Sequence, residues 1–479
     1  MFSKIIEEIS NFMYSYLLII LLLAAGLYFT FRTKLIQVRF LGESVRLVTE
    51  KKKGENSVSP FQALMVSTAS RVGTGNVVGV ANAIAIGGYG AVFWMWVIAF
   101  VGGASAFVES TLAQVYKKRG KDGVCYGGPS YYIEAALKSR WLGIVFAVAL
   151  IATYAVGFNM LCSFNLITSL SEYSFYGDSE TSKVPLICGI ILAALVGICV
   201  FGGGKRIVKV TSFLVPVMGV TYIVMAILTM VLNYEMIPMV FKNIIVSAFD
   251  FKAIFGGFAG SALMQGIKRG LYSNEAGVGS APNASASAEV THPVKQGLVQ
   301  MLSVFIDTLL VCTATAMMCL SSGIAPSQEL SGAPFVQTAL SSTFGNFGYY
   351  FITVALLFFA FTTLLGNLFY CEGCLNYIAN RPVGRTVLTV FRFCACAVVL
   401  IGALLDFGLV WNIADVLMGV MTLINVPVIL ILSKVAMKAL DDYSKQKKEG
   451  KNPVFKATAI GLKEKTDFWN GETDEKEVE

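Results

Sequence analysis

The stretch Ser67-Thr68-Ala69-Ser70-Arg71-Val72-Gly73-Thr74-Gly75-Asn76 lies inside an otherwise apolar run, and a second such stretch follows at Phe255-Gly256-Gly257-Phe258-Ala259-Gly260-Ser261. Glycine and small hydroxyl residues at this density interrupt a helix. In hydrocarbon every backbone N–H and C=O needs a partner. Broken backbone therefore survives at membrane depth only where it lines a wet or ligand-filled cavity. Each stretch opens a run of five apolar segments, over residues 61–233 and 252–436. Five is odd, so the two halves insert with opposite orientations, the pattern of an inverted-repeat transporter. Close helix packing on small residues is the other reading of the same glycines.

Composition agrees that the solvent is lipid. Of 479 residues, 56% are apolar and 14% charged, and the mean hydropathy is +0.68; a soluble domain carries roughly 25% charged residues. A soluble enzyme, a nucleic-acid binder and a disordered scaffold are excluded as the main reading. Segments 13–31, 61–85, 89–116, 141–170, 185–202, 207–233, 252–270, 296–320, 347–371, 386–405 and 408–436 approach the length of a spanning helix, about 20 residues. The chain is thus an all-α membrane protein of eleven spans. Residues 1–33 hold an extra span, and 34–60 a basic amphipathic helix on the membrane surface with Leu35, Val38, Leu41, Val45 and Val48 on one face. Residues 437–479 form a polar, partly disordered cytoplasmic tail. Lys and Arg concentrate in alternate loops, which sets the N-terminus outside the plasma membrane and the C-terminus in the cytoplasm. The +7 charge belongs to those loops and the tail.

Several chemistries drop out. There is one histidine, His292, expected in a surface loop. Cys371-Glu372-Gly373-Cys374 is a lone pair without the second pair or histidines of a metal site. Gly202-Gly203-Gly204-Lys205 lacks the spacing of a P-loop, so transport draws on a gradient or a passive path. A passive channel would show charge rings or repeated filter segments, and none is found.

The end of a half-helix presents N–H groups and a positive partial charge, which suit a carboxylate. Freed carbonyls suit a hard cation such as sodium. A pocket with both selects a zwitterion. Thr362 and Thr363, mid-span, offer hydroxyls to a sodium site with Thr68 and carbonyls of the first break; hydroxyls bonding back to their own helix are the alternative. Arg71, Glu109, Asp307 and Asp415 fall within spans, where charge is costly. Arg71 is expected to pair with Asp307 or Glu275, either as an inner gate or as a fixed structural pair. Glu275 is placed in the cytoplasmic loop after the seventh span, and Glu109 beside Lys117 or Lys118.

Gly73-Thr74-Gly75-Asn76-Val77-Val78-Gly79-Val80-Ala81, Tyr126-Gly127-Gly128-Pro129-Ser130-Tyr131-Tyr132 and the block Gly266 to Asn283 resemble the alanine/glycine:cation symporter (sodium:alanine symporter) family of the amino acid–polyamine–organocation superfamily. So do Gln296-Gly297-Leu298-Val299-Gln300 and Trp411-Asn412-Ile413-Ala414-Asp415. The resemblance implies a leucine-transporter-type 5+5 inverted repeat preceded by one extra N-terminal transmembrane helix. It implies sodium-coupled import of small neutral amino acids by alternating access, with co-transported sodium and no organic cofactor. Gly73, Thr74, Gly75 and Asn76 would line the carboxylate and ion region, Thr362 and Thr363 would match the sodium hydroxyls, and Phe258 would form a pocket wall.

Two positions depart from the family pattern. In Asn159-Met160-Leu161-Cys162-Ser163 the family commonly carries Gln where Cys162 stands, and it carries Trp where Asn367 stands. Less bulk and an added amide favour a larger polar substrate such as glutamine beside alanine. Proton coupling through Asp307 or Glu109 is the alternative within transport. The partners implied are an amino acid and the bilayer, with no nucleic acid; the sequence sets no oligomeric state, a monomer included.

Overall fold

The computed structural model describes residues 2–50, 58–120, 125–177, 181–250, 261–405, 407–462, 464 and 466–469. The chain runs through α1 (Ser3–Arg32), α2 (Leu41–Val48), α3 (Pro60–Arg71), α4 (Gly75–Gly87), α5 (Gly90–Val115), α6 (Arg140–Thr168) and α7 (Val184–Val200). It continues through α8 (Gly203–Leu232), α9 (Ala262–Asn274), α10 (Pro282–Ser287), α11 (Pro293–Leu320), α12 (Asn346–Ala379), α13 (Arg385–Gly402) and α14 (Gly408–Lys448). Eight of these, α1, α5, α6, α8 and α11 to α14, are long and apolar enough to cross a membrane. The shorter apolar helices α4 and α7 accompany them.

The two interrupted pairs lie side by side and antiparallel. Near the start of α3, Val58 bridges Ala288 just past α10. At the breaks, Ser70 Oγ lies 3.3 Å from Glu275 Oε1. Further along, Gly75 meets the Tyr272 ring so closely that an added Cβ would overlap it. At the far end, a Cβ on Gly87 would lie 3.2 Å from the Ala262 Cα. Sequence order rises along one pair as it falls along the other, which is the geometry of an inverted repeat. Every residue from Ala63 to Ala85 is buried. α5 packs along both α9 and α11 at the centre, whereas α8 and α13 are peripheral, with exposed Phe213, Val220, Val387 and Phe393 facing outward.

The described residues show an interruption after the glycine run that the sequence singled out. Residues 252–260, including Phe258, lie outside the described residues. Among those described, the helix ends at Asn274 and resumes at Pro282. Between them Glu275, Gly277 and Gly279 take positive φ (53°, 84° and 92°), the last two being positions that glycine tolerates. Glu275, expected in a loop, is buried in this unwound segment. Side chains satisfy the freed backbone. Ala276 N–H donates to Asn274 Oδ1 (3.0 Å), Gly277 N–H to Glu109 Oε1 (3.3 Å), and Asn425 Nδ2 donates to the Gly277 carbonyl (2.9 Å). Asn425 Nδ2 also reaches Glu109 Oε2 at 2.9 Å, and Tyr132 donates to Asn425 Oδ1. Glu109 therefore braces the second break rather than pairing with Lys117, whose ammonium donates to the Ala288 carbonyl.

The first break is started cleanly. Ser59 and Gln62 form a capping box ahead of Pro60 at the first helical turn. α3 then stops at Val72, whose ψ of 86° is not helical.

The membrane-surface segment and the tail also differ from the sequence reading. Residues 36–48 form two short helices, with residues 51–57 outside the description. Leu35, Val38, Leu41 and Val45 are exposed on one face, while Ile36 and Leu47 are buried against the bundle. α14 continues to Lys448, past the expected end of its span. The chain beyond it folds back: Phe455 N–H donates to the Thr291 carbonyl at 2.9 Å and Trp469 Nε1 to the Gln114 carbonyl at 3.0 Å. Glu43 of α2 anchors this end through Arg46, Tyr443 and Lys447, and the Arg46 hydrogen bond chiefly holds its carboxyl down to about 2. His292 is buried rather than surface-exposed; its Nδ1 caps α11 by accepting from Val294 N–H, and Nε2 lies 3.2 Å from Asp442 Oδ2.

Glu109→Leu removes the acceptors of the Gly277 N–H and of one Asn425 hydrogen bond. A buried polar group left unmade costs ~1–3 kcal/mol. The thermal unfolding midpoint of the purified protein should fall for Glu109→Leu and fall less for Glu109→Gln, which keeps one oxygen acceptor.

Candidate functional site

Beside the first break lies a narrow cavity of about the size of a water molecule, lined by Ser70, Arg71, Gly73, Thr74, Gly75, Phe158, Cys162, Tyr272 and Thr363. α3–α4, α6, α9 and α12 supply the wall.

Three π-helical segments aim side chains at this region: Gly75–Gly79, Ala152–Phe158 and Phe305–Cys312. An extra residue per turn rotates the side chains that follow, and such bulges gather at functional sites. They place Asn76, Phe158 and Asp307. Asn76 ties the break together. Its Oδ1 accepts from the Gly73 N–H (2.8 Å), its Nδ2 donates to Asp307 Oδ1 (2.7 Å), and its carbonyl accepts from Thr315 (2.7 Å). The other Asp307 oxygen accepts from Ser273 (2.8 Å) and Thr308 (2.7 Å). Asp307, Ser273 and Thr308 form one oxygen-rich cluster.

A second pair of oxygens lies on the other side of the break. Thr363 Oγ1 donates to the Ala69 carbonyl at 3.0 Å, and it sits where a Cβ on Gly73 would fall. Its neighbour Thr362 turns away, bonding back to the Phe358 carbonyl at 2.9 Å beside Met218. Thr68 also points elsewhere, 3.2 Å from Ser303 Oγ.

Behind the wall runs a chain of amides and hydroxyls. Ser70 Oγ donates to Asn367 Oδ1 (2.7 Å), and Asn367 Nδ2 donates to Asn159 Oδ1 (3.0 Å). Thr74 Oγ1 accepts from Asn165 Nδ2 (3.0 Å) and contacts Cys162 Sγ at 3.8 Å. Asn159 Nδ2 and Ser163 Oγ are buried without a hydrogen-bond partner among the described residues. Arg71 does not pair with Asp307 or Glu275; its Nη1 donates to Gln300 Oε1 at 3.2 Å.

The cavity is closed on the α1 side by tilted rings and charge. Phe158 meets Tyr272 (4.7 Å between centroids), Tyr272 meets Trp411 (5.1 Å), and the Arg269 guanidinium covers Trp411 at 4.1 Å. Asp415 holds Arg269 (3.3 Å) and Lys268 (2.8 Å), and Ser10 of α1 accepts from Lys268 at 3.1 Å. The structure thus gathers Arg71, Gly73, Thr74, Gly75, Cys162 and Thr363 at one cavity, with Asn76, Asn159, Asn367, Glu275 and Asp307 hydrogen-bonded close behind. The sequence reading missed Ser70, Phe158 and Tyr272 as wall residues. Ser70 stood inside the quoted break, and Tyr272 just ahead of the Glu275-Ala276-Gly277-Val278-Gly279 run.

Comparison with known proteins agrees with this fold. The family model described as the sodium:alanine symporter family matches residues 1–457. A protein of Bacillus subtilis (strain 168) named probable sodium/glutamine symporter GlnT is 44% identical over 459 residues, covering 95% of this chain and 94% of that one. The amino-acid carrier protein AlsT of the same organism is 44% identical, covering 99% of each chain. A sodium/proton-dependent alanine carrier protein of Bacillus sp. (strain PS3) is 40% identical, covering 89% of this chain and 96% of that one. Among solved structures, a mutant manganese transporter of Eremococcus coleocola superposes with a TM-score of 0.54 at 13% identity, covering 84% of each chain. MhsT in complex with L-phenylalanine superposes with a TM-score of 0.50 at 14% identity, over 85% of this chain and 92% of that one.

The closure on the α1 side makes Cys162 a native reporter. Asp415→Asn removes the charge that holds Lys268 and Arg269 over the rings. A water-soluble thiol reagent should then modify Cys162 several-fold faster than in the unaltered protein, as read by peptide mass spectrometry.

Proposed function

The chain belongs to the sodium:alanine symporter family and is a sodium-coupled amino-acid symporter, and we propose that it imports a neutral amino acid with a polar side chain, glutamine foremost, beside alanine. The observation that carries the substrate reading is the idle donor of Asn159. Its Nδ2 is buried without a partner among the described residues, next to Asn367 and behind the Ser70 wall. A side-chain amide carbonyl satisfies such a donor, whereas a methyl group leaves it unmade, and sites built to hydrogen-bond discriminate strongly. The volume released by Asn367 in place of a tryptophan, and by Cys162 in place of a glutamine, makes room for that side chain. The relative named as a probable sodium/glutamine symporter supports the same substrate, and the relatives named as alanine carriers support the second one.

For sodium, the Ala69 carbonyl and Thr363 hydroxyl are oxygen donors of the kind a hard cation prefers. Thr362 joins them only by leaving the Phe358 carbonyl, and Thr68 only by leaving Ser303. The gating candidates fall on both sides of the cavity. Glu275 faces Ser70, Asp307 faces Asn76, and Asp415 with Arg269 and Trp411 closes the α1 side. On the lysine and arginine pattern the N-terminus faces out and the α14 end faces the cytoplasm, in a plasma-membrane protein. Proton coupling is a second reading. The buried carboxylates of Glu109, Glu275 and Asp307 favour it, as does a relative named as sodium/proton-dependent.

Uptake into proteoliposomes separates these readings. With an inward sodium gradient, unlabelled glutamine, asparagine, serine and alanine should compete with labelled glutamine, and choline in place of sodium at fixed pH should abolish uptake. Strong competition by glycine and alanine alone would overturn the enlarged-pocket reading, and sodium-independent uptake driven by a pH gradient would favour the proton. Asn367→Trp should weaken glutamine competition by about tenfold, ~1.4 kcal/mol, while alanine competition persists.

A further inference from the structure

Arg71 is the last helical residue before the first break and forms part of the cavity wall. Its side chain is buried, with the residue 2% exposed. Nη1 donates to Gln300 Oε1 at 3.2 Å and to the Gln300 carbonyl at 3.4 Å. Nε and Nη2 have no hydrogen-bond partner among the described residues. The buried carboxylates of Glu109, Glu275 and Asp307 lie within the reach of its charge, yet none of them pairs with it. A buried guanidinium with two idle donors is destabilising, because each donor has left water and gained nothing.

The idle atoms are not an arbitrary pair. Nε–H and the adjacent Nη2–H point the same way along one edge of the planar guanidinium. They form a rigid fork whose spacing matches the two oxygens of a carboxylate. Gln300 occupies the remaining nitrogen and fixes the plane. The competing carboxylate ligand at this break, the backbone, is partly spent: the Gly73 N–H already donates to Asn76 Oδ1 at 2.8 Å.

We infer that Arg71 clamps the α-carboxylate of the transported amino acid in a side-on bidentate pair, and that it is a substrate-binding residue rather than a gate partner of Asp307 or Glu275. This rests on the reading of the cavity as the substrate site. It adds a full positive charge to a carboxylate site otherwise built from main chain. It also predicts that the transporter reads the carboxylate as strictly as the side chain.

The test compares each amino acid with its α-amide, which has the same shape but no negative charge. Binding of L-alanine, L-glutamine, alaninamide and glutamine α-amide to the purified full-length protein is measured by calorimetry at saturating sodium. The unaltered protein should prefer acid over amide by at least about a hundredfold, since charge-assisted pairs are the strong ones. Arg71→Gln should shrink that preference to within a few-fold. Arg71→Lys, which keeps the charge and loses the fork, should fall between the two, and it decides the matter if Arg71→Gln does not fold. Sodium-dependent stabilisation without amino acid reports a merely structural role and should persist in the folded variant. A folded variant that keeps the full acid-over-amide preference overturns the inference. The companion variant Asn367→Trp separates the two levels. If it changes selectivity while Arg71→Gln leaves the acid–amide ratio untouched, only the clamp is wrong. If neither variant alters binding, the cavity is not the substrate site.

Discussion

The structure depends on one constraint: main chain that leaves the helix inside a lipid-facing bundle must find all its hydrogen bonds from neighbours. Two antiparallel helices break here, and each break recruits partners from other elements. Asn76 and Thr315 serve the first, and Asn274, Glu109 and Asn425 the second. The polar residues that look costly in an apolar chain are the partners of that exposed backbone. Glu109 is fully buried, yet it accepts from a main-chain N–H and an amide, so its burial follows from the break it serves.

The same constraint explains why a narrow cavity forms at the first break. Gly73 lets Thr363 approach the backbone, Gly75 admits the Tyr272 ring, and both contacts would be lost to a Cβ. The wall is therefore made of main chain, small side chains and two aromatic rings, with hydrogen-bonding groups at its margin. Most of those groups are satisfied. Polar atoms without a partner among the described residues occur in and just behind the wall, on Arg71, Asn159 and Ser163, and also elsewhere in the bundle, as on Asn82 and Gln296.

Much of this was legible in the sequence, for identifiable reasons. The first break was read at the right residues because Gly73-Thr74-Gly75 interrupts an apolar run with nothing charged beside it except Arg71. The interruption between Asn274 and Pro282 was not read because the run with Lys268, Arg269 and Glu275 looks aqueous. Those charges are in fact taken up inside, the two cations by Asp415 and the carboxylate by Ser280. Hydropathy cannot distinguish a solvated charge from one neutralised by a residue some 150 positions away in the chain. Thr362 and Thr363 were equivalent on paper; helical rotation sends one to the Ala69 carbonyl and the other back to its own helix. The tail beyond 437 looked polar enough to be partly disordered. Among its described residues Phe455 and Trp469 are anchored against Thr291 and Gln114.

The arrangement also suggests how an ion and an amino acid come to depend on each other. Ala69 offers its carbonyl on the Thr363 side, Arg71 forms part of the cavity wall, and Thr74 offers its hydroxyl against Cys162. All three belong to one short segment that is not stabilised as continuous helix. On the proposed reading, a cation and a zwitterion bound at this segment order the same main chain. The ligand that arrives first meets part of the ordering cost, and the second then binds to a segment already held. Positive coupling of this kind needs no contact between the two ligands, and it is reciprocal by thermodynamic necessity. An uninterrupted helix at 69–75 would hold its backbone equally well with or without either ligand, and the two sites would then bind independently.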